Sequence, residues 1–345
     1  MISTLNEKNM RGGNFMCTSF TVSVKDQQHY LSRTMDFSFL LEGQPIFMPR
    51  GFEWSSFNGE VHQNAYAFVG TGKKLEDYIF ADGVNEKGVV AAELYYPNEA
   101  DYATDSVAGQ KNLAPHQFIM WLLGENSSIA EIKEKIGTIT LVDCPVALLG
   151  ITVPLHFIVT DSSGETITIE TNQKQLILKD NPIGVMANSP NLEWHLQNLN
   201  QYASIKPTNN PSQKLGPLTL TPFGQGSGTF GLPGSYVSTD RFVRAAFLKY
   251  NMVTSTTMEE TVNNIFHVLD SVTIPKGIDI KPDGEIDFTQ YRVVMDSISS
   301  SYFLQLYESN RVYSVKIDAE LLTNTAPIVY PVSKDMLFEK LEQSN

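Results

Sequence analysis

The sequence contains little cysteine: Cys17 and Cys144 are the two cysteines in 345 residues. Two cysteines cannot build a disulfide scaffold or an all-cysteine metal site. A single bridge between them remains arithmetically open, but no other feature of the sequence supports it. The low count is typical of proteins in a reducing compartment, so we expect a cytoplasmic protein.

Positive charge and long apolar runs are also scarce. The chain has 25 lysines and arginines against 38 acidic residues, a net charge of −13. This balance argues against partners such as nucleic acid or an anionic membrane surface, and leaves open a small anionic substrate that finds a cation locally. No run of eighteen apolar residues occurs, so no transmembrane helix is expected. Residues 1–16 lack the apolar core of a signal peptide.

The common cofactor and metal motifs are missing or incomplete. Gly226 to Gly231 has the spacing G-x-G-x-x-G, but Leu232-Pro233-Gly234 follows where a phosphate-binding helix would have to begin. The six histidines do not pair at helical spacing, so no zinc site is predicted. No G-x-S-x-G motif occurs, which argues against a serine enzyme of the α/β-hydrolase type. We therefore expect no cofactor and no metal.

Hydrophobic patterning predicts groups of strands that alternate with groups of helices. Strands are predicted at residues 18–24, 29–37, 65–70, 89–96, 155–160, 165–170, 288–296, 302–307 and 312–317. Helices are predicted at residues 116–123, 128–137, 192–202, 241–250 and 257–269. Residues 82–88 have the pattern of a turn, and residues 178–185 are mixed. Hairpins dominate and no strand–helix–strand unit repeats, which predicts one α+β domain with antiparallel sheets.

Three residues that can carry chemistry are predicted to meet in the first hairpin. Cys17 opens the first strand, and Arg33 and Asp36 lie on the returning strand. Each has an ordinary structural interpretation, since a lone cysteine usually packs as a small hydrophobe. An Arg/Asp pair on a strand is usually a surface ion pair. The residues by themselves leave structural and catalytic roles open.

A longer set of motifs resembles a known family. Met16-Cys17-Thr18-Ser19, followed by Arg33-Thr34-Met35-Asp36-Phe37, is similar to the choloylglycine hydrolase family, which contains bile salt hydrolases and penicillin V acylases. The similarity continues through motifs at residues 85–88, 154–156, 188–190 and 241–244, and runs from 16 to about 320. The resemblance implies the four-layer αββα sandwich of the amino-terminal nucleophile hydrolases. It also implies a homotetramer.

The same resemblance assigns the nucleophile. Cys17 would become residue one of a mature domain spanning 17–345, after removal of residues 1–16. Its α-amine, with an ordinary pKa of roughly 7.7–8.0, would then act as the base for its own thiol. A native propeptide, a mis-assigned translation start and an expression remnant all stay open for the leader.

The remaining catalytic roles follow by resemblance. Arg33 and Arg241 would lie next to the sulfur and favour the thiolate. Asp36 would accept a hydrogen bond from the amine. The Asn188 side chain and the backbone N–H of Tyr95 would stabilise the oxyanion. The product of the first step is a thioester acyl-enzyme, which water then hydrolyses.

The expected substrate is a small-molecule acyl amide, and the identities of Phe37 and Tyr95 indicate which acyl group is preferred. Many bile salt hydrolases carry Asn at the Tyr95 position, while penicillin V acylases of bacilli tend to carry Tyr. A phenoxyacetyl ring can stack on both aromatic side chains. We therefore expect penicillin V acylase-like activity, with conjugated bile salts and acyl-homoserine lactones as alternatives. A catalytically silent acyl-ligand binder is the alternative from another class. Cys144 has no matching partners and is predicted to be a structural interior residue.

Overall fold

The structure is a computed structural model that describes residues 16–341, except 25–27, 39, 76 and 148. Residues 1–15 of the predicted leader lie outside the described residues. The α-helices are α1 Phe118–Gly124, α2 Ile129–Lys135, α3 Leu192–Asn198, α4 Ser238–Asn251 and α5 Met258–Asp270. The strands are β1 Met16–Val24, β2 Gln28–Phe37, β3 Gln44–Met48, β4 Glu53–Ser55, β5 Val61–Gln63, β6 Phe68–Lys74, β7 Tyr78–Phe80, β8 Asp82–Asn85, β9 Val90–Tyr95, β10 Lys111–Leu113, β11 Ile139–Leu141, β12 Leu155–Thr160, β13 Thr166–Asn172, β14 Gln175–Asp180, β15 Val185–Met186, β16 Gln213–Leu215, β17 Leu218–Leu220, β18 Asp279–Ile280, β19 Ile286–Asp296, β20 Ser301–Leu306, β21 Val312–Lys316 and β22 Ile328–Val329.

Two large sheets form the centre of the molecule. The first sheet has the strand order β15-β1-β2-β19-β20-β21, with β18 paired to β19. The second has the order β14-β13-β12-β9-β8-β6-β3-β22, with β7 paired to β6. The described pairs of both sheets are antiparallel, as the sequence predicts. The small pair of β10 and β11 departs from that prediction because it is parallel.

Apolar side chains bury the face between the two sheets. Leu31 and Met35 of the first sheet belong to one buried cluster with Val69, Val84 and Ile158 of the second. This arrangement requires alternate residues of each strand to point inward, because side chains of a strand project to opposite faces.

Helices cover the outer faces of both sheets. Phe118 and Trp121 of α1 join the cluster on the outside of the second sheet. On the outside of the first sheet, Phe20 of β1 is buried with Phe242 of α4 and Ile265 of α5. The order of layers is therefore helix, sheet, sheet, helix, which confirms the αββα sandwich.

Strand alternation also sorts the candidate catalytic residues. Cys17 belongs to the cluster between the sheets, whereas Phe20 belongs to the outer cluster. Arg33 shares the parity of Leu31 and points between the sheets, and Asp36 has the opposite parity. In the neighbouring strand β19 the register shifts between Thr289 and Tyr291, which marks a β-bulge.

Some sequence-based predictions of elements were wrong or incomplete. Residues 82–85 form β8 rather than part of a turn, because Asp82 pairs with Ala92 in the second sheet. Residues 178–185 end β14 and begin β15. Ten short strands were missed, since two to five residues give too few periods of alternation: β3, β4, β5, β7, β10, β11, β16, β17, β18 and β22. Residues 226–231 contain a 3₁₀ turn, and the next α-helix of the described chain begins at Ser238.

The packing of α1 on the second sheet leads to a stability prediction. Phe157 of β12 is fully buried and meets Phe118 edge to face, with ring centroids 4.8 Å apart. Phe157→Ala should lower the free energy of unfolding by about 3–5 kcal/mol, because it removes buried area and leaves a cavity. Urea unfolding monitored by circular dichroism measures the change. Phe223→Ala is the matched control, since that ring is fully exposed, and an equal loss in both variants would contradict the assignment.

Candidate active site

Cys17 lies at the start of β1 with its side chain in the interior between the two sheets. It is 1% exposed. The thiol Sγ accepts a hydrogen bond from Nη2 of Arg33 at 2.9 Å. Because Cys17 pairs with Met35 and Ser19 pairs with Arg33, the guanidinium reaches the sulfur diagonally across the hairpin. The predicted contact between Arg33 and the nucleophile is therefore present.

Arg33 is a fully buried cation whose remaining donors are satisfied by both sheets. Within the first sheet, Nε donates to the carbonyl of Thr34 at 3.1 Å. Across the interior, Nη1 donates to the carbonyl of Ala81 at 3.1 Å and lies 3.5 Å from Oδ2 of Asp82. A buried charge is tolerated when it is paired and hydrogen-bonded in this way.

Asp82 is the counter-charge of this cation and is itself held by two tyrosines. Its Oδ2 accepts a hydrogen bond from the Tyr291 hydroxyl at 2.8 Å, and its Oδ1 accepts one from Tyr302 at 2.5 Å. Asp82 is fully buried. The sequence-based interpretation missed these residues, because β8 was taken as a turn and the tyrosines lie more than 200 positions away.

Asp36 is buried on the opposite face of the hairpin from the thiol. Its carboxylate accepts hydrogen bonds from the hydroxyls of Thr34 at 2.9 Å and Thr289 at 2.5 Å. The predicted hydrogen bond to Asp36 concerns the α-amine nitrogen of Cys17 after removal of the preceding residues, which this structure does not test. That nitrogen is a peptide amide here, because Met16 precedes it, and it donates to Oδ1 of Asn188 at 2.9 Å.

Asn188 joins three parts of the site through one side chain. Its Oδ1 accepts from the Cys17 amide and from Nη2 of Arg241, the latter at 2.7 Å. Its Nδ2 donates to the carbonyl oxygen of Tyr95 at 2.7 Å. The side chain is therefore fixed beside the nucleophile, with its amide group directed at the end of β9.

Arg241 donates hydrogen bonds to the backbone of Cys17 rather than to its sulfur. From α4, Nη1 donates to the carbonyl of Cys17 at 2.6 Å and also to the hydroxyl of Thr18. Nε donates to the carbonyl of Tyr236 at 2.8 Å. The resemblance implies that Arg241 lies next to the sulfur and favours the thiolate. In the structure its hydrogen bonds go to the backbone of Cys17 and to Thr18, and its positive charge lowers the pKa of the thiol.

The ionisation of the site follows from burial and from the two cations. Burial raises the pKa of the Cys17 thiol, and the positive charge of Arg33 opposes this rise. Burial likewise raises the pKa of Asp36 to about 6, against the charge of Arg241 and the hydroxyls that donate to the carboxylate. A thiol in this setting would need a base before it could act as a nucleophile, and the charge of Arg33 favours its thiolate form.

A cavity opens beside the thiol and has a mostly apolar wall. Phe37 and Tyr95, the residues predicted to contact substrate, both line it together with Cys17. The sequence-based interpretation missed other lining residues: Leu41, Ile79, Glu93, His116, Leu149 and Leu155. Glu93 carries a detectable signal, as it is the one acidic residue in the predicted strand at 89–96.

Two further expectations concern the remainder of the chain. Cys144 is partly exposed in the loop between β11 and β12, so it is not the interior residue that was predicted. Among the described residues, no group of three or more His, Cys, Asp or Glu side chains is arranged to hold a metal ion. No described helix is both long enough and apolar enough to span a membrane.

Comparison with known proteins gives consistent matches. A bile salt hydrolase/transferase of Clostridium perfringens is 33% identical over 323 residues, 93% of this chain and 98% of that protein. The crystal structure of a mutant conjugated bile acid hydrolase from the same organism covers 94% of this chain and 100% of its own, with a TM-score of 0.86 and 32% identity. A penicillin V acylase of Pectobacterium atrosepticum is 25% identical over 77% of this chain and 68% of that protein.

The family match and the geometry agree on the same part of the chain. Residues 17–330 match the linear amide C–N hydrolases, choloylglycine hydrolase family, and this span begins at Cys17. It contains the buried thiol, the guanidinium that contacts it and the asparagine that fixes its backbone nitrogen. This chain therefore belongs to the choloylglycine hydrolase family and is a linear amide hydrolase.

Proposed function

We propose that the enzyme hydrolyses conjugated bile salts, with Cys17 as the nucleophile. The observation that carries the proposal is the thiol in hydrogen-bond contact with Arg33 at the wall of a mostly apolar cavity. A steroid acyl group is a large apolar body, and an apolar wall suits it. The charged glycine or taurine of the conjugate would remain toward solvent.

The similar proteins change which of the candidate substrates we rank first. Tyr95 favoured penicillin V, but bile salt hydrolases match over more than nine-tenths of this chain at 33% identity. The penicillin V acylase matches at 25% over a shorter span. We therefore place conjugated bile salts first. Penicillin V, acyl-homoserine lactones and silent ligand binding become competing outcomes of one assay.

The chemistry would proceed through a thioester. The thiolate of Cys17 adds to the amide carbonyl, and the oxyanion that forms is stabilised by hydrogen-bond donors. Asn188 and the backbone N–H of Tyr95 are the proposed donors, which is supported by the hydrogen bond between Asn188 and the Tyr95 carbonyl. The C–N bond then breaks, the amine leaves with a proton, and water hydrolyses the thioester to the free acid.

The base in this scheme is the α-amine of Cys17 after the leader has been removed. Met16 lies directly opposite Asp36 in the hairpin, so removal of Met16 would leave the new amino terminus beside that carboxylate. A negative charge beside the amine would hold the amine in place and favour its protonated form. The start of the family match at Cys17 supports this processing.

Two secondary expectations stay part of the proposal. The hairpin of β16 and β17 exposes Leu215, Leu218 and Leu220, which supports self-association into the tetramer implied by resemblance. Both cysteines are free, which supports a reducing, cytoplasmic location.

The substrate assignment is tested by parallel hydrolysis assays. We expect kcat/KM for glycocholate to exceed that for penicillin V by at least about tenfold. This ratio corresponds to a difference of about 1.4 kcal/mol in transition-state stabilisation. An acyl-homoserine lactone completes the panel. Release of amine is measured by reaction with a primary-amine reagent. A preference for penicillin V would restore that substrate, and binding without turnover of any amide would favour the silent binder.

The nucleophile is tested with the two cysteines of the chain. Cys17→Ser should reduce kcat on the preferred substrate by at least about 10³-fold, because a hydroxyl in this site is a far weaker nucleophile than a thiolate. Cys144→Ser is the matched control and should keep wild-type activity, as that thiol lies in a partly exposed loop. Wild-type activity in Cys17→Ser would refute the assignment.

Processing is tested by the intact mass of the purified active enzyme. We expect a mass that begins at Cys17, because the amine can act as a base only when it is free. The Cys17→Ala variant should retain residues 1–16 if Cys17 itself performs the cleavage. Full activity in a protein that still carries residues 1–16 would contradict the amine-base mechanism.

The role of Asp36 is tested through the pH dependence of kcat/KM. Asp36→Asn removes a negative charge beside the amine, so the amine should lose its proton at lower pH and the acid limb should shift downward. We expect kcat to fall by roughly 10²-fold as the amine loses its anchor. Asp283→Asn is an exposed control. An unshifted acid limb in Asp36→Asn would argue that the carboxylate does not face the base.

A further inference from the structure

Glu93 places a carboxyl group in the wall of the cavity that contains the nucleophile. It lies in β9, whose other residues are Val90, Ala91, Ala92, Leu94 and Tyr95. It lines the cavity together with Cys17. Its Oε2 is buried and has no hydrogen-bond partner among the described residues. Buried polar atoms in folded proteins nearly always have a partner, so this oxygen calls for one.

The backbone of Glu93 is tied to the cation that contacts the thiol. The carbonyl of Ala81 accepts the Glu93 N–H at 2.9 Å and Nη1 of Arg33 at 3.1 Å. Nη2 of the same guanidinium donates to the Cys17 sulfur. One cation therefore connects the sulfur of Cys17 to the strand that carries Glu93, and both residues line the same cavity.

Glu93 is a neutral acid near pH 7. Burial raises its pKa to about 8, opposed by the charge of Arg33 and reinforced by that of Asp82. His116, which also lines the cavity, is neutral as well, because burial lowers its pKa to about 4. A protonated carboxyl group can both donate and accept a hydrogen bond. It therefore suits a hydroxyl group better than an anion.

Three other polar groups of the wall have partners in the protein. The hydroxyl of Thr71 is hydrogen-bonded to that of Tyr302, the hydroxyl of Tyr291 donates to Asp82, and the ammonium of Lys73 pairs with Glu42 at 3.8 Å. An unpaired buried polar group is unfavourable, and a ligand that hydrogen-bonds to it recovers the lost energy. Oε2 of Glu93 is thus a polar atom through which the cavity beside Cys17 can select its ligand.

We propose that Glu93 is a specificity-determining residue, which hydrogen-bonds a hydroxyl group on the acyl part of the substrate. The enzyme then prefers hydroxylated acyl amides to their deoxy counterparts. The inference rests on the proposed function, because it assumes that the acyl group of an amide substrate occupies this cavity.

The test measures discrimination within pairs of substrates that differ by one hydroxyl. The steroid pairs are glycocholate with glycodeoxycholate and glycocholate with glycochenodeoxycholate. The aryl pair is (4-hydroxyphenoxy)acetyl-glycine with phenoxyacetyl-glycine. In the wild type, we expect kcat/KM to favour the hydroxylated member of at least one pair by about tenfold. Glu93→Leu should bring that ratio close to one, chiefly by lowering kcat/KM for the hydroxylated substrate.

Glu93→Gln is the matched control for shape and hydrogen bonding. Its amide can still donate and accept, so it should retain most of the ratio, and circular dichroism checks that both variants are folded. A wild type without preference in any pair, or a Glu93→Leu ratio equal to that of the wild type, would overturn the proposal. Hydroxyl preference on the aryl pair without steroid turnover would retain Glu93 and reject bile salts as substrates. Turnover of none of the pairs would reject both.

Discussion

The site depends on the hydrogen bonds and the ion pair of the buried Arg33 guanidinium. A cation with no access to water must find acceptors within the protein, and this one finds them on both sheets. Thr34 and the sulfur of Cys17 lie on the first sheet, while Ala81 and Asp82 lie on the second. The guanidinium that contacts the sulfur of Cys17 therefore also joins the two sheets. Loss of the positive charge would leave Asp82 buried without its counter-charge.

The two faces of the first sheet have different tasks. The inner face carries the thiol and the cation that stabilises its charge. The outer face carries Asp36 and the contacts of Arg241 with Thr18, and it is covered by α4. The sulfur of Cys17 is thus separated by one sheet from the groups that hold the backbone of that residue. Asn188 bridges the two sets because it contacts the Cys17 nitrogen and Arg241 at once.

Predictions from the sequence succeeded where the relevant residues are close in the chain. The meeting of Cys17, Arg33 and Asp36 follows from a single hairpin, whose strands were predicted within two residues of their observed ends. The hairpin prediction did not say to which face of the sheet each side chain points. Strand parity places Asp36 on the face away from the thiol, and α4 brings Arg241 to that same face. The network of Asp82, Tyr291 and Tyr302 could not be predicted, since it requires the order of strands within two sheets and their packing against each other.

The β-bulge in β19 makes the site sensitive to the number of residues in that strand. Thr289 and Tyr291 are two positions apart, so a regular strand would direct both side chains to the same face. The register shift between them allows Thr289 to hold Asp36 on the outer face and Tyr291 to hold Asp82 on the inner face. The extra residue of the bulge thus reverses which face of the sheet the following side chains occupy, so that Thr289 and Tyr291 reach carboxylates on opposite faces. Loss of a single residue there would turn one of these hydroxyls away from its carboxylate, even with every catalytic side chain still present.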